Sequence, residues 1–234
     1  MPQLRGWNFA ERERILLGDA SAQIPTWRLA NFSRKTLASV AEQLSEKLTT
    51  GAGTRIDTLD STEARRHACI SLAAMIVRNV SGIIVLVGCG YERESLALGR
   101  TNIESLIRGR QAADDTSGDV ARKLLQGRRP RSLKAAAERY GSQHEVALLD
   151  RFAHADLLSL RPVSVLRDDG IEADIQVLPL RGQLLPAMQL LEAARTAASF
   201  TGLLAEVFGV AVEVPRFVNE QLRHFRDNPL PAGV

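Results

Sequence analysis

An apolar run in the N-terminal half limits what this chain can fold into. Residues 68–87 include ten Ile, Leu or Val residues and a single charged residue, Arg78. A segment this apolar must leave water, either for a protein core or for a membrane. In a bilayer, Arg78 at its centre would cost roughly 3 kcal/mol, which offsets much of the gain from the aliphatic side chains. The run therefore favours a buried helix of a soluble protein over a membrane span.

The composition is that of a globular protein with an aliphatic core. Of the 234 residues, 45% are hydrophobic, 24% are charged and only 5% are aromatic, which excludes a disordered or collagen-like chain. The two cysteines, Cys69 and Cys89, form no Cys-x-x-Cys pair, which excludes a disulfide-dense secreted domain and a cysteine-based zinc site. Charged residues occupy the N-terminal stretch where a signal peptide needs an apolar segment. We expect a cytoplasmic protein.

Hydrophobic periodicity predicts a mainly α fold. Asp60 is a predicted helix N-cap, with Glu63 three residues later to complete a capping box. A final helix should begin near Pro215 and stop before Pro229. The other predicted helices cover residues 33–48, 60–87, 91–110, 145–158 and 182–209, with two short helical pieces around Pro130.

One segment changes period. Residues 163–167 and 171–177 alternate in polarity around Asp168-Asp169-Gly170, and Asp-Gly between such runs predicts a β-hairpin. The predicted fold is therefore an antiparallel helical bundle with one β-hairpin inserted near residues 162–178. Residues 1–60 are predicted to form an N-terminal helical appendage, and residues 61–234 the bundle domain with its inserted hairpin.

A Gly-x-Gly sequence follows the apolar run. Val85-Leu86-Val87 precedes Gly88-Cys89-Gly90, an order typical of the strand–loop–helix that binds a nucleotide or S-adenosylmethionine. However, Arg93 stands where that fingerprint places its third glycine, and the chain lacks alternating strands and helices. The favoured interpretation is a glycine turn between two antiparallel helices, and nucleotide binding at Gly88-Cys89-Gly90 is an alternative.

Two groups of polar residues are candidate sites. Arg100, Glu104 and Arg108 lie four residues apart, so they form one stripe along a helix, and His154 is the histidine that we expect near them. This polar cluster is either a ligand site or a structural set of ion pairs. The second group is Arg139 and His144, an Arg-x4-His spacing similar to the ribonuclease motif of HEPN domains. Only four of the 30 basic residues are lysines, and among so many arginines about one such match is expected by chance.

A family resemblance rests on residues 91–104, which read YERESLALGRTNIE, and on Arg151-Phe-Ala-His154 followed by the predicted hairpin. These features resemble an uncharacterised bacterial all-helical family that is distantly similar to HEPN-like bundles. The resemblance spans about residues 62–209, and Arg100, Glu104 and His154 are the positions that match. It implies a helix carrying Arg-x-x-x-Glu, a later helix ending in histidine, a short hairpin and a long helix. Since the family has no assigned reaction, the resemblance informs the fold more than the function.

The expected function is binding or interaction without a complete catalytic set, in a cytoplasmic bacterial protein, although enzymatic activity stays open. The alternative is a HEPN-like module that acts on RNA or a nucleotide. A basic stretch at residues 122–134 supports that alternative, but it has no interleaved aromatic residues for base stacking. We expect no cofactor and no metal site. We expect a homodimer, because the predicted helix at 182–209 is apolar nearly all round.

Overall fold

Helices make up most of the described chain. The computed structural model describes residues 25–48, 55–89, 91–128, 130, 132–140, 165–167, 170–172 and 184–227. The prediction of a mainly α protein is confirmed there. The helices are α1 (Pro25–Ser45), α2 (Ser61–Gly88), α3 (Glu92–Asp114), α4 (Asp119–Leu125), α5 (Leu133–Arg139), α6 (Leu184–Phe208) and α7 (Arg216–Asp227), with a 3-10 turn at Ile56–Thr58.

Two three-residue strands lie within the predicted hairpin segment. Strand β1 (Val165–Arg167) pairs antiparallel with β2 (Gly170–Glu172). These six residues do not by themselves support the inserted hairpin predicted over 162–178, because most of that segment lies outside the described residues. The inserted hairpin therefore stays a prediction.

Helix α2 begins and ends close to its predicted limits. Asp60 caps it, since the Asp60 carboxylate accepts a hydrogen bond of 2.8 Å from the backbone N–H of Glu63. The Glu63 side chain pairs with Arg66 at 3.0 Å, instead of completing a capping box. At the other end, residues 85–87 form the last turn of the helix and Cys89 caps it. Residues 85–87 are therefore helical, where a nucleotide-binding Gly-x-Gly turn would be preceded by a strand, and nucleotide binding at Gly88-Cys89-Gly90 stays an untested alternative.

The main core contains residues from α1, α2, α6 and α7. Helix α6 contributes the largest fully buried side chain, Phe200, together with Leu190, Leu203 and Leu204. Most of the apolar surface of α6 is thus covered within its own chain. This removes the reason for expecting a homodimer through 182–209, and the homodimer stays an untested prediction.

The N-terminal part of the chain shares this core. Leu29 and Leu37 of α1 are fully buried in the same cluster as Ile76 and Val80 of α2. The predicted division into an appendage at 1–60 and a domain at 61–234 is not tested by this packing and stays a prediction.

Contacts along the helices give their relative directions. Helices α2 and α3 run antiparallel, because Gly82 near the end of α2 lies against Leu98 near the start of α3, and Arg65 near the start of α2 bonds to the carbonyl of Ala113. Helices α3 and α6 run parallel: Ser95 bonds to Gln189 near their starts, and an ion pair joins Arg110 to Glu206 near their ends. The predicted antiparallel bundle is therefore not confirmed as a whole.

Helix α2 also has the length and composition of a membrane-crossing helix. Within its most apolar window, 33% of the residues are buried inside the protein. Met75 and Val85 lie on its exposed side, where Arg78 is also exposed. Core helices of soluble proteins have the same length and composition, so this feature alone does not locate the protein.

Candidate functional site

The polar stripe on α3 forms a chain of ion pairs. Arg100 Nη1 donates to Glu104 Oε2 at 2.5 Å, as the i,i+4 spacing predicts. Arg108 Nε lies 3.8 Å from the other carboxylate oxygen of Glu104, and its Nη1 donates to Gln111 Oε1 at 2.8 Å. Glu104 is thus shared between two guanidinium groups one turn away on either side.

Burial distinguishes the two arginines. The side chain of Arg108 is only 8% exposed, whereas the side chains of Arg100 and Glu104 are 26% and 33% exposed. A guanidinium removed from water to this degree must be compensated by charge or hydrogen bonds. Arg108 is therefore the residue of the stripe whose position needs the most explanation.

Arg108 lines a cleft between α2, α3 and the segment that begins with α4. The cleft has a volume of about 370 Å³, which is within the range of small-molecule sites. One part of its lining is aliphatic: Ala68, Leu72, Met75, Leu124, Leu125 and Pro130. The other part is polar: Ser71, Thr101, Glu104, Ser105, Arg108 and Arg128, beside Gly127.

The polar lining residues divide into donors and acceptors. The Thr101 hydroxyl donates to the backbone carbonyl of Ala97 at 3.0 Å, and the Ser105 hydroxyl donates to that of Thr101 at 2.6 Å. These two hydroxyls have therefore used their protons and offer only acceptor lone pairs. The guanidinium groups of Arg108 and Arg128 supply donors and positive charge to the cleft.

Helix α4 is held in place by the turn before it. The Asp115 carboxylate accepts hydrogen bonds from the Ser117 hydroxyl at 2.7 Å and the Val120 backbone N–H at 2.8 Å. Partial burial raises the pKa of Asp115, but these hydrogen bonds together outweigh it and leave the pKa below its usual value. Arg122 of α4 also donates to the carbonyl of Leu59 at 3.1 Å, which ties α4 to the segment before α2.

The second candidate pair of the sequence is only half described. His144 lies outside the described residues, as does His154, so their predicted proximity to Arg139 and Glu104 stays untested. Arg139 forms an ion pair of 3.1 Å with Asp114, and Asp114 also accepts a 2.7 Å hydrogen bond from the Tyr140 hydroxyl. Burial, and then the hydrogen bond to Asp114, raise the pKa of Tyr140 to about 12. In the described structure Arg139 joins α5 to the end of α3 and does not line the cleft.

One buried polar group was not anticipated from the sequence. Asn102 on α3 is 1% exposed, and neither its amide nitrogen nor its amide oxygen has a hydrogen-bond partner. Such a group costs stability unless something else satisfies it. The only signal for it in the sequence is its place between the apolar residues Leu98 and Leu106, one turn away on either side.

The cysteines and the acidic residues show no metal site in the described ranges. Groups of three or more His, Cys, Asp or Glu residues that could hold a metal are not found there. Cys69 is a buried free thiol. Burial raises the pKa of Cys69 to about 12, which keeps this thiol protonated and unreactive.

Protein-family models, curated proteins and solved structures give no match to this chain. The resemblance to HEPN-like bundles therefore stays a prediction.

Proposed function

We propose that this protein is a non-catalytic binding protein whose ligand site is the cleft between α2, α3 and α4. The observation that carries the proposal is the placement of Arg108, a charged side chain more than nine-tenths buried, in the wall of a cleft of about 370 Å³ beside an aliphatic surface. Apolar walls with a few oriented polar groups are typical of small-molecule sites.

The chemistry of the lining favours binding over catalysis. A guanidinium group stays protonated at any physiological pH, so Arg108 and Arg128 can hold a ligand but are poorly suited to move protons. The protons of the Thr101 and Ser105 hydroxyls are engaged with backbone carbonyls, so these hydroxyls have no free proton to transfer. Glu104, the carboxylate of the described lining, is engaged by Arg100 and Arg108. These groups together therefore favour binding and alignment of a molecule over proton transfer.

Filling the cleft tests the proposal. Ser71 is exposed and lines the cleft, so Ser71→Trp should obstruct it; Ala74 is exposed on the same helix outside the lining, so Ala74→Trp is the matched control. A panel of metabolites is screened by thermal shift. We expect ligands that stabilise the wild type and Ala74→Trp but not Ser71→Trp. Ligands that stabilise all three proteins equally, or a panel with no ligand at all, would contradict the cleft as the site.

A second candidate, RNA or nucleotide binding, is supported by basic residues without ion pairs in α4, in α5 and between them. Lys123, Arg128 and Lys134 make no ion pair among the described residues. Positive charge that is not neutralised internally attracts polyanions, with an affinity that falls steeply as salt is added. An electrophoretic mobility shift with single-stranded RNA at two salt concentrations checks this candidate.

The arrangement of the helices, the inserted hairpin, the cellular location and the oligomeric state are also proposals. We propose a helical bundle, which is supported by the core shared by α1, α2 and α6. We propose that a hairpin near 162–178 is inserted before α6, for which the antiparallel pairing of β1 with β2 is the support. We also propose a cytoplasmic homodimer, for which exposed Phe32 of α1 and Phe217 of α7, with ring centroids 5.3 Å apart, are the supporting surface. Light scattering at tens of micromolar protein gives the oligomeric state, and a monomeric mass would refute the dimer.

A further inference from the structure

We infer that the ligand of the cleft is a small amphipathic anion, with an aliphatic or ring body and one phosphate or carboxylate group. This inference rests on the proposed function and specifies the class of molecule that the cleft takes. The body would lie on Leu72, Met75 and Leu125, and the anionic group would meet Arg108 and Arg128.

The charge of the lining gives the sign of the ligand. Among the described residues the lining has two guanidinium groups, Arg108 and Arg128, and one carboxylate, Glu104. That carboxylate is already held at 2.5 Å by Arg100 from outside the lining. Positive charge is therefore in excess on the wall of the cleft. Apolar walls of low polarisability strengthen the field of these arginines within the cleft, which favours an anion over a neutral or cationic molecule.

The burial of Arg108 indicates a small ligand rather than a polymer. With its side chain 8% exposed, Arg108 can be reached only by a group that enters the cleft, whereas Arg128 is exposed at the rim. None of the described lining residues is an aromatic on which a nucleobase could stack. A long RNA would instead contact exposed cations outside the lining, such as Lys134, so the two classes of ligand depend on different residues.

The apolar lining explains why the anion should carry a hydrophobic body. Leu72 is buried, and Met75 is partly exposed on the cleft side of α2. Burial of a methylene group against such side chains contributes about 0.8 kcal/mol, so a six-carbon chain should outweigh the binding of a bare anion. A bare phosphate would leave this aliphatic part of the cleft in contact with water.

Four simple probes separate head group and body. Calorimetric titrations of the full chain use hexyl phosphate, hexanoate, inorganic phosphate and hexyltrimethylammonium, the last with the same chain and the opposite charge. We expect hexyl phosphate or hexanoate to bind at least about tenfold more tightly than inorganic phosphate and than the cation. The stronger of the two anions identifies phosphate or carboxylate as the head group.

Variants then locate the binding. Arg128→Gln, at an exposed position, should weaken binding of the tighter-binding anion about tenfold. Lys134→Gln, which changes an exposed cation outside the lining, is the matched control and should leave that affinity unchanged. Arg108→Gln should weaken binding further, and circular dichroism shows whether that variant folds. Single-stranded RNA is titrated in parallel.

Each outcome decides between the two proposals. The hexyl anions and the hexyl cation could bind the wild type equally well and fail to bind Ser71→Trp. This result would overturn the inference that the ligand is an anion, while the cleft would remain the binding site. Binding of no probe, with no ligand from the metabolite panel, would overturn both. If Lys134→Gln weakens binding as much as Arg128→Gln does, and single-stranded RNA binds tightly, these cations belong to a surface that binds a polyanion. That result would overturn the inference of a small anion.

Discussion

Replacement of Gly109 by alanine tests the close packing of α3 on α6. A Cβ atom built on Gly109 would lie 2.6 Å from Cε2 of Phe200 and 2.9 Å from Cδ2 of Leu203. Both side chains are fully buried, so neither can move into solvent to make room. Overpacking of this kind costs roughly 1–3 kcal/mol, against which alanine gains up to about 1 kcal/mol of helix propensity. We expect Gly109→Ala to lower the free energy of unfolding by about 1 kcal/mol.

Gly99 provides the matched control on the same helix. A Cβ at Gly99 would have no neighbour within 4 Å, so Gly99→Ala gains helix propensity without the steric cost and should stabilise the protein by about 0.5–1 kcal/mol. The propensity gain cancels in the difference between the variants, which leaves the cost of overpacking, roughly 1–3 kcal/mol. Urea unfolding, monitored by circular dichroism, gives this difference when the two variants show the same dependence of unfolding free energy on urea concentration. If Gly109→Ala is as stable as Gly99→Ala, α3 does not approach Phe200 as the structure describes.

Three further changes test the polar groups of α3 and the turn after it. Asn102→Leu should raise stability by about 1–2 kcal/mol, because it removes two buried polar atoms that lack partners; a loss in urea unfolding would show that Asn102 is satisfied or used. Glu104→Gln should lower the free energy of unfolding by about 1 kcal/mol, because it leaves buried Arg108 without the carboxylate that it shares with Arg100. The control Glu220→Gln, in an exposed i,i+4 pair, should lower it by at most about 0.5 kcal/mol. Equal losses in the two variants would refute this difference. The pKa of Asp115 is lower in the folded protein than its unfolded value of 3.8. The stability that this carboxylate contributes is therefore fully present above pH 3.8 and is lost as the pH falls through its pKa in the folded protein. The stability gap between wild type and Asp115→Asn should therefore shrink in acid unfolding below about pH 4, and a constant gap would contradict this.

Local features were predictable from the sequence because they depend on residues within one or two turns. The Asp60 cap and the Arg100–Glu104 pair both involve spacings of three or four residues, which helical geometry alone brings together. The apolar periodicity likewise predicted a mainly helical chain. The start of α1 was missed: the sequence places its first residue at Ser33, but the helix begins at Pro25, because Leu29 and Ala30 contribute buried side chains before the periodic stretch begins.

The positions of helices relative to one another were not predictable in the same way. The sequence predicted an antiparallel bundle, which describes α2 and α3 but not α3 and α6. The parallel contact depends on side chains about 94 residues apart, such as Ser95 and Gln189. No local pattern marks such a pair, and the apolar faces of the helices are compatible with several arrangements.

The cleft illustrates how a site can depend on both kinds of information. The stripe of Arg100, Glu104 and Arg108 follows from spacing, yet spacing treats its two arginines as equivalent. They differ in the structure because Arg108 lies beside Leu124 and Leu125 of α4 in the cleft lining, whereas Arg100 is outside that lining. The position of α4 depends in turn on the Asp115 turn and on Arg122 bonded to Leu59. A change that loosens this turn should therefore expose Arg108 and weaken ligand binding without altering the Arg100–Glu104 pair, so a cleft ligand that binds Asp115→Asn as tightly as the wild type would show that α4 does not shape the site.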